Sequence, residues 1–257
     1  MLYPNFKNKQ GCSSVVTARQ YIDYVKKLHK FDLVIAPQSV IICYSNRLYK
    51  YIMEIHTKRR VSTPAGEMLL LDVEGDIAVV GGFGIGAPVA IAKLEEMIAF
   101  GVKQFLSIGE AGALQHELAI GDIVLCERAI RDEGTSHHYL ASAKYAYPSK
   151  VITAQIANTL EQMGHEYTRG TSWTVDALYR ETFDEVKRYQ VEGVKTVEME
   201  ASALFVVAKY HSVELGAFFC VSDSLADFSW RPEFHSGENR DGLETLYEIA
   251  VKTLRGR

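Results

Sequence analysis

The sequence predicts a single three-layer α/β domain, with a mixed and largely parallel central sheet flanked by helices. Three observations predict it. Short apolar runs with strand character recur along the chain, helix-length amphipathic stretches alternate with them, and no Pro/Gly/Ser-rich linker, repeat or low-complexity segment divides the 257 residues. Such alternation is the one-dimensional image of a sheet covered by helices on both sides. The length suffices to bury a sizeable core. The domain is expected to span 1–257, with 1–38 as an N-terminal extension packed on it.

The strands are expected at "SVIICY" (39–44), "IAVVGG" (77–82), "QFLSIG" (104–109), "DIVLCE" (122–127) and "GAFFCVS" (216–222). Several are continuous rather than alternating, as in strands buried on both faces. Helices are expected over 87–100, closed by Gly101; over 152–163, closed by Gly164; and over 241–254. Another begins after Glu200, with Leu204, Val207 and Ala208 at helical spacing and a stop at Gly216.

Composition excludes several functions. Hydrophobic residues make up 47%, charged residues 23%, and the formal net charge is -4 with a pI near 6.1. Nothing in that balance favours a nucleic acid or another polyanion. The opening "MLYPNFKNKQ" has no tripartite signal, and no apolar run approaches the roughly 18 residues of a membrane span. A cytoplasmic protein without membrane contact is therefore expected. Cys12, Cys43, Cys126 and Cys220 are scattered, and the close histidine pair, His137 and His138, is adjacent in a loop-like stretch. Reduced, structural thiols and no metal or cofactor are the expectation.

In α/β sheets, ligands gather where strands end. Polar residues at those junctions are Arg47, the glycines of "GGFGIGAP", "GEAG" (109–112), "RDEGTSHHY" (131–139), "WTVDALYRE" (173–181), Glu198 and Glu200 in "TVEMEAS", and "VSDS" (221–224). The acidic pair stands at a helix entrance, where it would at least complement the helix dipole.

Together these segments resemble the nucleoside phosphorylase family that includes uridine phosphorylase, the hexameric purine nucleoside phosphorylases and the methylthioadenosine nucleosidases. The likeness runs from about Ser39 to the C-terminus. "VGGFGIGAPVAIAKLEEMIAFGVKQFLSIGEAGAL" resembles the family's glycine-rich strand, following helix and second glycine-rich turn. "IGDIVL" and "RDEGTSHHY" fall where uridine phosphorylases carry similar text, and "VEMEASAL" matches the sugar-binding segment. The order and spacing of the motifs carry the resemblance more than any one of them.

The resemblance implies cleavage of a nucleoside N-glycosidic bond. It places Glu200 on the ribose hydroxyls and Met199 against the sugar, with Glu198 beside them. An ionised carboxylate offers only acceptors and can take two vicinal hydroxyls, and methionine gives a flexible apolar floor. Bond cleavage builds positive charge on the sugar and negative charge on the base, and both need stabilising. Asp223 falls where purine-cleaving relatives keep a proton donor to the base, a role that requires burial to raise its pKa; otherwise it would cap backbone amides. Leu178 takes the stacking position of the base pocket, with Tyr179 beside it and Trp173 and Arg180 as further base contacts. The residues that read uracil in uridine phosphorylases are absent, with Thr182 and Asp184 nearest, which favours purine over uridine.

The phosphate or water site is expected from Arg47, Gly84, Ser107 and Gly109, and it departs from the family. Arg47 matches the arginine after the first strand, but Ser107 stands for a second arginine and Glu110 for a neutral hydroxyl. The place of a neighbouring subunit's arginine reads Pro64 or Ala65, with Arg59 and Arg60 nearby. Two like unit charges roughly 4 Å apart at an effective dielectric near 20 repel by about 4 kcal/mol. Glu110 thus opposes a phosphate dianion unless paired with a cation such as Arg47 or Arg131. Family frequency implies phosphorolysis, with phosphate as co-substrate. The alternatives are a nucleosidase whose water is activated by Glu110 and a non-catalytic nucleoside-binding or storage homologue. A homo-oligomer, a dimer-based hexamer, follows from the resemblance only. A dinucleotide-binding reading of "GGFGIG" lacks the acidic residue at the expected distance.

Overall fold

The computed structural model describes residues 4, 6, 8–55, 59–71 and 76–256. Strands β1 (Ser39–Cys43), β2 (Arg60–Thr63), β3 (Gly66–Leu70), β4 (Ile77–Gly81), β5 (Gln104–Ala113), β6 (Ile123–Asp132), β7 (Tyr145–Ala146), β8 (Thr168–Val175), β9 (Thr196–Glu198), β10 (Glu214–Ser224) and β11 (Arg231–Pro232) form one sheet. The helices are α1 (Ala18–Leu28), α2 (Asn46–Ile55), α3 (Ala87–Phe100), α4 (Lys150–Met163), α5 (Phe183–Val191), α6 (Ala201–His211) and α7 (Gly237–Arg255). The expected α/β class, with a mixed sheet flanked by helices, is the one observed.

The strand order is β11-β10-β6-β8-β9-β5-β1-β4-β3-β2. Because β10 also pairs with β5, the strands β5, β10, β6, β8 and β9 close on themselves as a ring. Pairing is parallel along β4–β1–β5–β10 and β6–β8–β9, and antiparallel where the ring turns back, at β10–β6 and β9–β5. Ring closure leaves no open edge there for another strand to pair with.

The period-2 geometry of strands sorts side chains into layers. In β1, Val40 and Ile42 join an apolar cluster with α1, α3 and α6, whereas Ile41 and Cys43 join another with α2, α4 and α7. Helices on both sides explain why the run is continuous. From the N-terminal segment, Ile22 of α1 is fully buried in the first cluster, and Thr17 and Gln20 form a capping box that starts the helix. A third cluster joins Trp173 to Ile130, Val186 and Tyr189.

Several strands run longer than their apolar stretches. Those beginning at Gln104, Ile123 and Glu214 reach Ala113, Asp132 and Ser224, and residues near the ends of the first and third line a cavity. Helix α6 ends at Ser212, in the left-handed conformation at φ 55, and not at Gly216. Gly216 instead lies inside β10, where a Cβ would meet Ile156 Cδ1 at 2.8 Å. No described helix is long and apolar enough to cross a membrane.

Candidate active site

A cavity of about 560 Å³ opens at the ends of β5, β9 and β10. One wall is the junction of β9 and α6. There the carboxylate of Glu198 accepts from Thr174 Oγ1 (2.5 Å), Ser172 Oγ (3.2 Å), Glu200 N (2.8 Å) and Ala201 N (2.7 Å). The last two are amides at the start of α6, which otherwise lack intrahelical partners. Glu198 is therefore the helix cap and the buckle between β8 and α6. It also lines the cavity, with its acceptor positions filled by protein groups.

Glu200 is different. One oxygen accepts from Gly86 N, at the start of α3, where φ of 100° suits glycine. Burial first, and then the neighbouring Glu198, pushes the Glu200 carboxyl up to about 8. Met199 lines the cavity beside it, its methyl 4.0 Å from where a Cβ on Gly86 would sit.

On the floor, Glu110 accepts from Asn239 Nδ2 at 2.8 Å, and Asn239, fully buried near the start of α7, also donates to Phe234 O at 2.9 Å. Neither arginine proposed as a partner for Glu110 serves it. Arg131 donates to Ser136 Oγ and to the carbonyls of Leu140 and Ala141. Arg47 donates to Phe234 O at 3.4 Å and borders a separate outer hollow with Lys50, Glu54 and Arg240. Tyr44 takes the space beside Gly109, its ring 3.3 Å from the position of a Cβ there. Its hydroxyl, enclosed near Ser107, Glu198 and Glu200, has no partner at full hydrogen-bond geometry among the described residues. Burial drives that phenol well above its ordinary pKa.

Another wall depends on a β-bulge. The β10–β5 register slips between Val221 and Asp223, so Ser222 is an extra residue, and both Ser222 and Asp223 face the cavity. Gly112 makes room: a Cβ there would lie 3.1 Å from Asp223 Oδ2 and 2.8 Å from Leu225 Cδ1. Asp223 accepts from Ser222 Oγ (2.8 Å) and Trp230 Nε1 (2.9 Å) rather than from backbone amides. Burial raises its pKa against the opposing effect of those two bonds. Across from it stands Glu181, raised to about 7 by burial first and by the charge of Asp223 second. Leu178 and Tyr179 sit at the mouth, 44% and 93% exposed, with Trp230 and Phe234.

The structure thus brings together Glu200, Met199, Glu110, Gly109, Asp223, Leu178 and Tyr179 around one space. Trp173 is not among them: it is fully buried in the third cluster, donating to Asp132 Oδ2 at 2.9 Å. Arg180 is exposed and does not line the cavity, and Gly84 leaves that place to its neighbour Ile85. Ser107 is buried behind Tyr44. Sequence reasoning missed Tyr44, Glu181, Trp230 and Asn239. A usable signal existed for Trp230, a tryptophan in a polar loop seven residues after a strand-end aspartate. Among the described residues no cluster of His, Cys, Asp and Glu is placed to hold a metal ion.

A ring-closed α/β domain with a carboxylate-lined cavity at its strand ends is a small-molecule enzyme scaffold. Residues 40–255 match the model of the phosphorylase superfamily, and the chain belongs to it. It is 32% identical over 142 residues to a guanosine phosphorylase of Halorubrum lacusprofundi, covering 55% of this chain and 59% of that protein. It is 27% identical over 187 residues to a uridine phosphorylase of Thermococcus kodakarensis, covering 66% and 65%. The chain thus spans about three fifths of the length of these relatives. A solved uridine phosphorylase structure from Vibrio fischeri superposes with a TM-score of 0.73 at 24% identity, covering 86% of this chain and 93% of that one. The family comprises phosphorylases and nucleosidases acting on nucleosides.

Proposed function

We propose that the protein cleaves the N-glycosidic bond of a purine nucleoside with water as the nucleophile. One observation carries the choice of nucleophile: the charged side chains lining the cavity are Glu110, Glu181, Glu198, Glu200 and Asp223, and no basic side chain among the described residues lines it. A phosphate dianion placed there would meet carboxylates and no compensating cation, and like charges at contact distance cost several kcal/mol at about the dielectric of a protein surface. Water carries no such penalty.

The chemistry then follows from the walls. Glu200, protonated up to about pH 8 before a nucleoside binds, accepts the sugar hydroxyls, whose donors favour its ionised form, and so faces the positive charge that grows on the ring as a carboxylate. Glu110, oriented by Asn239, takes a proton from water as its oxygen bonds to the anomeric carbon. The bond from that carbon to the base nitrogen breaks, and Asp223 gives its proton to the departing base. Free sugar and free base are the products.

A second reading, phosphorolysis, draws on the names of the relatives and on Arg47, whose single long bond to Phe234 O at 3.4 Å holds it just behind the cavity rim. Assay of purine nucleosides with and without phosphate separates the two. The hydrolytic reading expects free base and free sugar in phosphate-free buffer, abolition of that release in Glu110→Gln, and at most about a twofold change in Arg47→Ala. Strict phosphate dependence with sugar phosphate as product would establish the second.

A further inference from the structure

One residue of the cavity wall takes no part in that chemistry. Tyr44 is one of the two residues that link β1 to α2. Its neighbour Ser45 caps α2, accepting Tyr49 N through its carbonyl at 2.9 Å and Leu48 N through Oγ at 3.5 Å, so the backbone beside Tyr44 is held in place. The Tyr44 side chain turns into the cavity wall. Its ring stands edge-on to Phe83 in the first glycine-rich loop, with centroids 5.6 Å apart, and lies 3.3 Å from where a Cβ on Gly109 in the second would sit. Its hydroxyl is enclosed near Ser107 and Glu200 and has no partner at full hydrogen-bond geometry among the described residues. An enclosed hydroxyl without a partner costs stability, so what Tyr44 contributes to the site is the volume of its ring.

That ring fills the place where the sequence leads one to expect an anion. Of Arg47, Gly84, Ser107 and Gly109, only Gly109 lines the cavity; Ser107 is buried behind the ring, and Arg47 donates to Phe234 O. We propose that Tyr44 is the nucleophile-selecting residue: its ring occupies the space between the two glycine-rich loops that inorganic phosphate would need, and so leaves water to attack the anomeric carbon. This rests on the hydrolytic reading and names the residue that enforces it. Repulsion from the carboxylates is a second, separate barrier. It weakens when a charge is removed, whereas overlap with a packed ring does not. A tetrahedral anion therefore needs both the ring and the Glu110 charge gone.

The test is a gain of chemistry. Cleavage of a purine nucleoside is followed with and without inorganic phosphate in wild type, Tyr44→Phe, Glu110→Gln and the double variant Tyr44→Ala with Glu110→Gln, and free sugar and sugar phosphate are measured separately. Wild type and Tyr44→Phe, which both carry the ring, should yield free sugar and no sugar phosphate at any phosphate concentration. Glu110→Gln should be inactive in either buffer. The double variant should regain cleavage in phosphate alone: a phosphate oxygen bonds to the anomeric carbon, the bond to the base nitrogen breaks with its electron pair leaving on the base, and Asp223 protonates the base. Inorganic phosphate titrated calorimetrically should bind the double variant about tenfold or more tighter than Glu110→Gln. Should the alanine prevent folding, Tyr44→Val removes the ring with less loss of packing and suits a strand end. Sugar phosphate from Glu110→Gln alone, or equal phosphate affinity with and without the ring, overturns the assignment while leaving wild-type hydrolysis intact. Strict phosphate dependence of the wild type removes the hydrolytic reading and the role of Tyr44 together. If no form of the protein cleaves a nucleoside, the glycosidic reading fails, and the phosphate titration alone then decides the role of Tyr44.

Discussion

At the β9–α6 end of the cavity the acidic groups are held largely by backbone: Glu198 by two amides of α6 with two hydroxyls, and Glu200 by the Gly86 amide. At the β10 end they are held by side chains or by no described donor. Asp223 leans on Ser222 and Trp230, the latter 61% exposed, and Glu181 has no donor. The difference separates what is fixed from what can vary. Backbone amides at a strand–helix junction cannot be removed by a point substitution, whereas Ser222 and Trp230 hold Asp223 through side chains that a point substitution can replace.

The sharpest way to break this contrast is at Asp223. Asp223→Asn keeps the shape and removes the transferable proton, so nucleoside cleavage should fall by roughly 100 to 10,000-fold, and less on nucleosides with better leaving groups. Equal losses on good and poor leaving groups would assign it a structural part instead.

Glu198 tests the β9–α6 end as architecture. Glu198→Ala leaves two buried amides and two hydroxyls without an acceptor, at about 1–3 kcal/mol for each unsatisfied group. A stability loss of about 3 kcal/mol or more in urea denaturation is expected. In Glu198→Gln one carbonyl oxygen can still take both amides while the hydroxyls of Ser172 and Thr174 turn to accept, so most of the stability should return. A variant pair with unchanged stability and lost sugar affinity would make Glu198 a sugar-binding residue instead.

Glu200 tests the same end as chemistry. Glu200→Gln should cost about 1.5–3 kcal/mol in kcat/KM, the worth of hydrogen bonds to a charged group, with folding stability retained. Full activity would remove it from the sugar site.

The smallest effect is on pH. Burial lifts Glu200 to about 8 and Glu181 to about 7, both from 4.5. Between those values the native state holds protons that the unfolded chain has released, so these groups favour folding most at the acid end of the window. Their contribution is lost as pH rises from about 4.5 through 7 to 8. Urea midpoints of the wild type should therefore decline across that range more steeply than those of Glu200→Gln and Glu181→Gln, and parallel curves would contradict the shifts.

The sequence made the layers legible because continuous apolar runs have few other homes, and it made Glu200, Met199, Glu110 and Asp223 legible because polar residues at strand ends break those runs. Trp173 misled for a physical reason. In a closed ring one face of β8 meets an apolar cluster of its own, and neither periodicity nor composition says which side faces ligand. Arg47 stands in the first turn of α2, as its place after the first strand implies, and its side chain reaches Phe234 O without lining the cavity. Glu181, Trp230 and Asn239 reach the cavity from loops and from the start of α7, segments whose placement depends on contacts far away in the chain. The bulge at Ser222, which turns two consecutive residues the same way, breaks the alternation that a strand reading assumes.

Ring closure has a consequence in time. Gln104 lies opposite Glu214 in β5–β10, and Glu110 receives Asn239 across 129 positions of chain, so the seam and the floor of the cavity both await the C-terminal part. Contacts of such long range form late, after loop entropy has been spent on nearer ones. A newly made chain thus acquires its layers first and its pocket last. A nucleoside that binds only the closed ring holds that seam shut by mass action, and unfolding in urea should slow as nucleoside is added. The substrate is then also the latch on the final step of the chain's own assembly.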